Sequence, residues 1–102
     1  MARTRYERGR EKEYRTMNLL KKDGWLVSRS AASHGAVDVF AAKGGMILLV
    51  QVKSGKARVK KEELEELVQW AKSSNGRAEV WHFKGRGKLE KRRVYASKGG
   101  RG

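Results

Sequence analysis

Three polar residues interrupt the two most apolar stretches of the chain. Asp38 lies within residues 37–40, and Gln51 and Lys53 lie within residues 46–53. Because side chains alternate between the faces of a strand, Gln51 and Lys53 are expected to point the same way. A polar group in an apolar strand carries a desolvation cost unless something compensates it. Polar groups that converge on one sheet face suit a metal-dependent phosphodiesterase, although a hydrated strand end is the alternative reading of these residues.

Apolar periodicity and glycine positions indicate the elements that must hold these residues. Lys43-Gly44-Gly45 separates the two apolar stretches and predicts a tight hairpin. A helix is expected before them, with Tyr14, Met17 and Leu20 on its apolar face. The pattern predicts a helix (residues 8–22), three strands (25–30, 37–40 and 46–53), a second helix (60–73), a fourth strand (78–83) and a short last strand (94–95).

Composition indicates the class of partner. The 102 residues form one small domain, expected over residues 1–96, and 25 Lys and Arg against 11 Asp and Glu give a net charge of +14. Such an excess predicts a polyanionic partner. The chain has no cysteine and two histidines, which excludes disulfides and thiolate metal sites and argues against zinc. No membrane-spanning run or signal-peptide pattern is visible, so we expect a soluble protein that works inside the cell.

Other groups could complete a site at the sheet: a carboxylate from the first helix and donors for a phosphate backbone. In the first helix Glu13 borders the apolar face and is a better candidate than Glu11 for turning toward the sheet; a solvated face with ion pairs is the alternative. The loop after the first strand offers phosphate donors, although an ordinary Ser/Gly turn would look similar. These donors are Arg29, Ser30, Ser33 and His34, and a basic connector containing Lys56 follows the third strand.

The rest of the chain carries weaker signals. The second helix, with four glutamates in its first turns, is interpreted as structural. Trp70 and Trp81 are expected to be core or dimer contacts rather than base-stacking platforms. Residues 97–102 are expected to form a basic flexible tail that either contacts DNA or only aids solubility.

The order of these features resembles the PD-(D/E)XK nuclease superfamily, and within it the archaeal-type Holliday junction resolvases, which also occur in viruses. The resemblance covers residues 8–83, about three quarters of the chain. It is carried by five short motifs in order: Arg8-Gly9 followed by Glu13, Gly24-Trp25-Leu26-Val27, Arg29-Ser30-Ala31-Ala32-Ser33, Val37-Asp38, and Gln51-Val52-Lys53.

The resemblance implies an α/β fold with a mixed central β-sheet flanked by two helices, and a homodimer that cuts four-way DNA junctions rather than a small-molecule substrate. Mg²⁺, with Mn²⁺ as a substitute, would be held by Glu13, Asp38, Gln51 and the carbonyl of Val52. Lys53 would orient the attacking water. Arg29 and Ser33 would position the scissile phosphate, while the remaining backbone contacts would come from Arg8, Arg10, Ser30, His34 and Lys56. The location implied is cytoplasmic, at the nucleoid, or in a host cell for a virus-encoded protein.

Gln51 departs from the resolvase pattern, which has a carboxylate at this position. An amide oxygen can still ligate Mg²⁺ but brings no negative charge. Gln51 is therefore either a natural variant or a change that weakens cleavage. Two other functions stay open: another nicking or repair nuclease of the superfamily, and a basic DNA-binding protein with an inactive site.

Overall fold

Two helices and five strands make up the described part of the chain. The computed structural model describes residues 5–30, 35–85 and 87–97, with side chains described from residue 9 onward. In chain order the elements are α1 (Arg5–Lys22), β1 (Leu26–Arg29), β2 (Val39–Lys43), β3 (Met46–Ser54), α2 (Lys61–Ser74), β4 (Arg77–Lys84) and β5 (Lys88–Ala96).

The strands form one mixed sheet in the order β1-β2-β3-β4-β5. The β3–β4 pair is parallel, because α2 carries the chain back across the sheet, and the other pairs are antiparallel. The β2–β3 hairpin turns at Gly44 and Gly45, whose φ angles of 56° and 82° lie in the region that favours glycine. A two-residue turn with both φ angles positive matches the twist of the flanking strands. The predicted hairpin is confirmed.

The central strand β3 is apolar on both faces, and one helix covers each face. Leu48 and Val50 belong to the same buried cluster as Leu20 of α1. Leu49 belongs to a second cluster with Leu67 and other residues of α2. A strand buried on both sides reads as a continuous apolar run, which explains the pattern of residues 46–50. The predicted mixed sheet flanked by two helices is confirmed.

The last strand is longer than its pattern indicated. β5 pairs with β4 from Arg77↔Ala96 to Lys84↔Lys88, so the prediction of a short strand at residues 94–95 was wrong in extent. Most residues of this edge strand are charged, so its sequence lacks the alternation of polar and apolar residues that predicts a strand. The charges also discourage pairing with other chains. Ser97, predicted as the first residue of the tail, donates from its N–H to the Gly76 carbonyl at 3.1 Å. The rest of the predicted tail lies outside the described residues.

Three aromatic side chains were expected on apolar faces or in contacts, and the structure places them differently from one another. Tyr14, expected on the apolar face of α1, is about half exposed, and the Arg29 guanidinium lies 4.9 Å from its ring centre. Trp81 is buried in the core, as expected. Trp70 is 45% exposed and contacts Phe40 edge to face, so of its two predicted roles the structure excludes the core and the dimer contact stays a prediction. None of the helices in the described part of the chain has the length and apolar character needed to cross a bilayer.

Candidate active site

The backbone of Asp38 is held between two strands at the start of β2. Its N–H donates to the Val50 carbonyl at 2.9 Å, and its own carbonyl accepts from the Ser30 N–H at 3.0 Å. Val39 pairs with Val50, and because the Asp38 N–H donates to that same Val50 carbonyl, Asp38 lies beside Val50, the residue that precedes Gln51. The topology therefore brings Asp38 near Gln51, which lies thirteen positions later in the sequence.

The Asp38 side chain is partly buried, and its Oδ2 accepts a hydrogen bond from the Val52 N–H at 2.8 Å. Burial raises the pKa of Asp38 to about 6, although the Val52 N–H opposes this shift. Glu13 and Glu63 raise the pKa of Asp38 further by like-charge repulsion, and Lys53 lowers it. A carboxylate in this environment gains from any nearby cation, because the cation relieves both desolvation and repulsion.

The side chain of Gln51 is 2% exposed, and its Oε1 has no hydrogen-bond partner among the described residues. A buried carbonyl oxygen without a partner is costly, and a hard cation is one group that would satisfy it. No three His, Cys, Asp or Glu side chains in residues 5–30, 35–85 and 87–97 cluster closely enough to hold a metal ion. Carboxylate and amide oxygens are the donors that hard divalent cations prefer.

Glu13 of α1 lies near enough to raise the pKa of Asp38 by like-charge repulsion, and it is bound to Arg29. Nη1 of Arg29 donates to Oε1 of Glu13 at 3.0 Å, and both side chains are about one fifth exposed. This hydrogen bond raises the pKa of the Arg29 guanidinium. The group predicted to bind metal and the group predicted to bind phosphate thus contact each other.

Lys53 contacts a residue that the sequence analysis did not select. Its Nζ lies 3.2 Å from Oε1 of Glu63 on α2, a helix interpreted above as purely structural. Burial would raise the pKa of the Glu63 carboxyl, but the Lys60 N–H and Lys53 outweigh it and lower that pKa. The sequence offered one signal: Glu63 is the third helical residue, where a glutamate commonly folds back on the helix start. That position does not reveal a contact with β3.

The remaining predicted DNA contacts are spread around this site. Arg10 is exposed on α1, and Lys56 is exposed in the turn that follows β3. Ser30 is held through its backbone beside Asp38. Ser33 and His34 lie outside the described residues, and so does the side chain of Arg8.

Comparison with known proteins agrees with this architecture. The profile of the family described as archaeal Holliday junction resolvase (Hjc) matches residues 4–96. Crossover junction endodeoxyribonuclease Hjc of Methanocaldococcus jannaschii is 33% identical over 78 residues, which cover 74% of this chain and 58% of that protein. The chain thus spans less than two thirds of this relative.

The fold is also similar to that of a solved structure. Hjc of Archaeoglobus fulgidus, a Holliday junction resolvase, superposes with a TM-score of 0.75 at 26% identity over 85% of this chain and 73% of that chain. It shares the mixed sheet and the two flanking helices. Since the family profile extends over nearly all of the sequence, this chain belongs to the archaeal Holliday junction resolvase family.

Proposed function

We propose that this chain is a metal-dependent, structure-specific endodeoxyribonuclease that resolves four-way DNA junctions. The observation that carries the proposal is the hydrogen bond from the Val52 N–H to the Asp38 carboxylate, between Gln51 and Lys53 on β3, beside a buried Gln51 amide oxygen that has no partner among the described residues. Family membership and the name of the Methanocaldococcus relative, a crossover junction endodeoxyribonuclease, support DNA as the substrate. A small-molecule substrate is not part of the proposal.

The proposed metal ligands are oxygen atoms only. They are the carboxylates of Glu13 and Asp38, Oε1 of Gln51 and the main-chain carbonyl of Val52. Mg²⁺ is the proposed ion, with Mn²⁺ able to replace it, since both prefer oxygen donors. When bound, such an ion provides a water of lowered pKa and offsets charge that develops on the phosphate.

The protein side chains perform the other tasks. Lys53 orients the attacking water and offsets negative charge in the transition state, a role that requires a fixed ammonium group. Arg29 binds the scissile phosphate, assisted by Ser33. β1 pairs Arg29 with Val39, so its backbone is adjacent to Asp38. A guanidinium offers several donors in a rigid fork that matches phosphate oxygens.

Binding depends on charge and on a second copy of the chain. The net charge of +14 predicts an affinity that falls steeply with salt, with Arg8, Arg10, Ser30, His34 and Lys56 contacting the neighbouring backbone. A protomer with a radius of gyration of 13.4 Å is small relative to a junction. A two-fold symmetric homodimer would present two sites to two strands. This function implies a location inside the cell, at the nucleoid or, for a viral protein, in the host.

The proposal is tested by incubating the protein in Mg²⁺ with a four-way junction, a flap and a plain duplex of matched sequence. We expect paired nicks in the junction and little cutting of the duplex. Preferential cutting of the flap would favour a different nicking or repair nuclease. Tight junction binding without cleavage in Mg²⁺ or Mn²⁺ would show a basic DNA-binding protein, for which the neutral Gln51 would be the cause.

A further inference from the structure

A carboxylate of α2 lies against the lysine proposed to act in cleavage. The two carboxylate oxygens of Glu63 are 3.2 and 3.3 Å from Nζ of Lys53. The side chains of Lys53 and Glu63 are 18% and 31% exposed, so water screens this pair less than a typical surface pair. The ammonium group of Lys53 is therefore restrained by α2 as well as by its own strand.

The start of α2 fixes the Glu63 carboxylate in turn. The Lys60 N–H donates to Oε1 of Glu63 at 2.9 Å, so the carboxylate also satisfies one of the backbone donors that a helix start leaves open. Glu63 lies in the first turn, where the helix dipole favours negative charge. The Lys60 N–H and the Lys53 ammonium together fix the position of the Glu63 carboxylate. A fixed carboxylate in turn fixes Lys53, and a lysine that orients a water molecule must be held in one position.

Gln51 explains why Lys53 needs a partner from a helix. Gln51 and Lys53 are two positions apart on β3 and share a face, but the amide of Gln51 carries no charge. The nearby carboxylate of Asp38 accepts its described hydrogen bond from the Val52 N–H. We propose that Glu63 is a positioning residue of this site: it holds the Lys53 ammonium and supplies the negative charge that Gln51 lacks. The inference rests on the proposed function, because it assumes that Lys53 acts in cleavage.

The first test removes the charge of Glu63 and keeps its shape. Glu63→Gln retains an oxygen for the Lys60 N–H, since glutamine also serves at this helix position. We expect the single-turnover rate of junction cleavage to fall by about 10- to 100-fold, the range for a residue that orients another functional group. Glu62→Gln is the matched control, because it removes the same charge from the same exposed helix turn. Equal rates for the two variants would overturn the proposal.

A double-mutant cycle with Lys53→Ala shows whether Glu63 acts through Lys53. If it does, Glu63→Gln causes no further loss of rate in the Lys53→Ala background, because residues that act as a unit are not additive. A purely structural role for Glu63 would give the same loss in both backgrounds and would overturn the proposal. Metal-free junction affinity should change by no more than about twofold in Glu63→Gln, in keeping with the modest effect of single exposed charges.

The same cycle in thermal unfolding, without metal or DNA, separates this inference from the proposed function. We expect the shifts in melting temperature of the two single variants to sum to more than the shift of the double variant. Additive shifts would overturn the pairing of Lys53 and Glu63. If the cycle shows coupling but the wild type cuts no junction, the pairing is supported and the proposed function is wrong.

Discussion

Arg29 donates a hydrogen bond to Glu13 at 3.0 Å, joining β1 to a helix residue sixteen positions earlier in the chain. Both residues were predicted to contact ligands, one a phosphate and the other a metal ion. Each neutralises the charge of the other at the border of the site. The pair keeps an arginine and a glutamate near Asp38 without leaving either charge isolated in a partly buried position.

Replacing Glu13 by Gln is expected to abolish junction cleavage and to leave metal-free junction binding equal or a few-fold tighter. The change removes a proposed metal ligand, and it also removes a negative charge that holds Arg29 away from phosphate. Cleavage in Mg²⁺ and fluorescence anisotropy without metal measure the two effects. Glu11→Gln, the same charge change two residues earlier on α1, should keep cleavage. Equal cleavage by both variants would remove Glu13 from the metal site.

Asp38→Asn is expected to abolish cleavage and to stabilise the metal-free protein at pH 7 but not at pH 4. The folded-state pKa of Asp38 is about 6, above the ordinary value of 3.8, so the folded protein holds this proton more tightly than the unfolded chain. The stabilisation that the proton provides is complete below about pH 4 and is lost as pH rises through about 6. Thermal unfolding of both forms at pH 4, 5, 6 and 7 measures this. A melting-temperature difference that stays constant across the series would contradict the burial of a charged Asp38.

Gln51→Glu is expected to lower the Mg²⁺ concentration for half-maximal cleavage, because a third carboxylate strengthens the attraction for the ion. A tenfold drop would correspond to about 1.4 kcal/mol. The variant should also melt lower without metal, since a buried carboxylate near Asp38 adds desolvation and repulsion, and Mg²⁺ should reverse this loss.

The maximal cleavage rate of Gln51→Glu shows whether Gln51 is the native residue of the site or replaces an earlier glutamate. If the site evolved around Gln51, the maximal rate should change little. If Gln51 stands where a glutamate once worked, cleavage should appear in a protein that was nearly inactive. If Gln51→Glu changes neither the Mg²⁺ concentration for half-maximal cleavage, nor the maximal cleavage rate, nor the effect of Mg²⁺ on the melting temperature, Gln51 does not bind the metal.

Gly76→Ala is expected to destabilise the fold by about 1–3 kcal/mol, the usual cost of overpacking. A Cβ at Gly76 would lie 2.6 Å from the Ile47 carbonyl oxygen, which belongs to the backbone of β3 and cannot move aside easily. Gly9→Ala is the matched control, since a Cβ there meets nothing within 4 Å and alanine favours a helix. Thermal unfolding should show opposite signs for the two variants. Similar melting temperatures would mean that β3 adapts at this point.

Local sequence determined most of the fold, because its signals act between close neighbours. Two glycines with positive φ define the β2–β3 turn, and the continuous apolar run of β3 indicates a strand covered on both faces. The spacing of apolar residues indicated both helices, because this signal too acts between residues close in sequence. The full length of β5 was not predicted because most of its side chains are charged and exposed. On such an edge strand little burial imposes an alternation of polar and apolar residues.

Sequence also determined which groups are available for chemistry: a lone acid before an apolar strand, and an amide and a lysine on one face of the next. Only the tertiary structure decided their partners. Glu63 could not be distinguished from its three glutamate neighbours by spacing, and the Glu13–Arg29 contact joins a helix to a strand that pairing brings near Asp38. Such contacts depend on how α1 and α2 pack on opposite faces of the sheet, and long-range packing leaves no periodic trace in the chain.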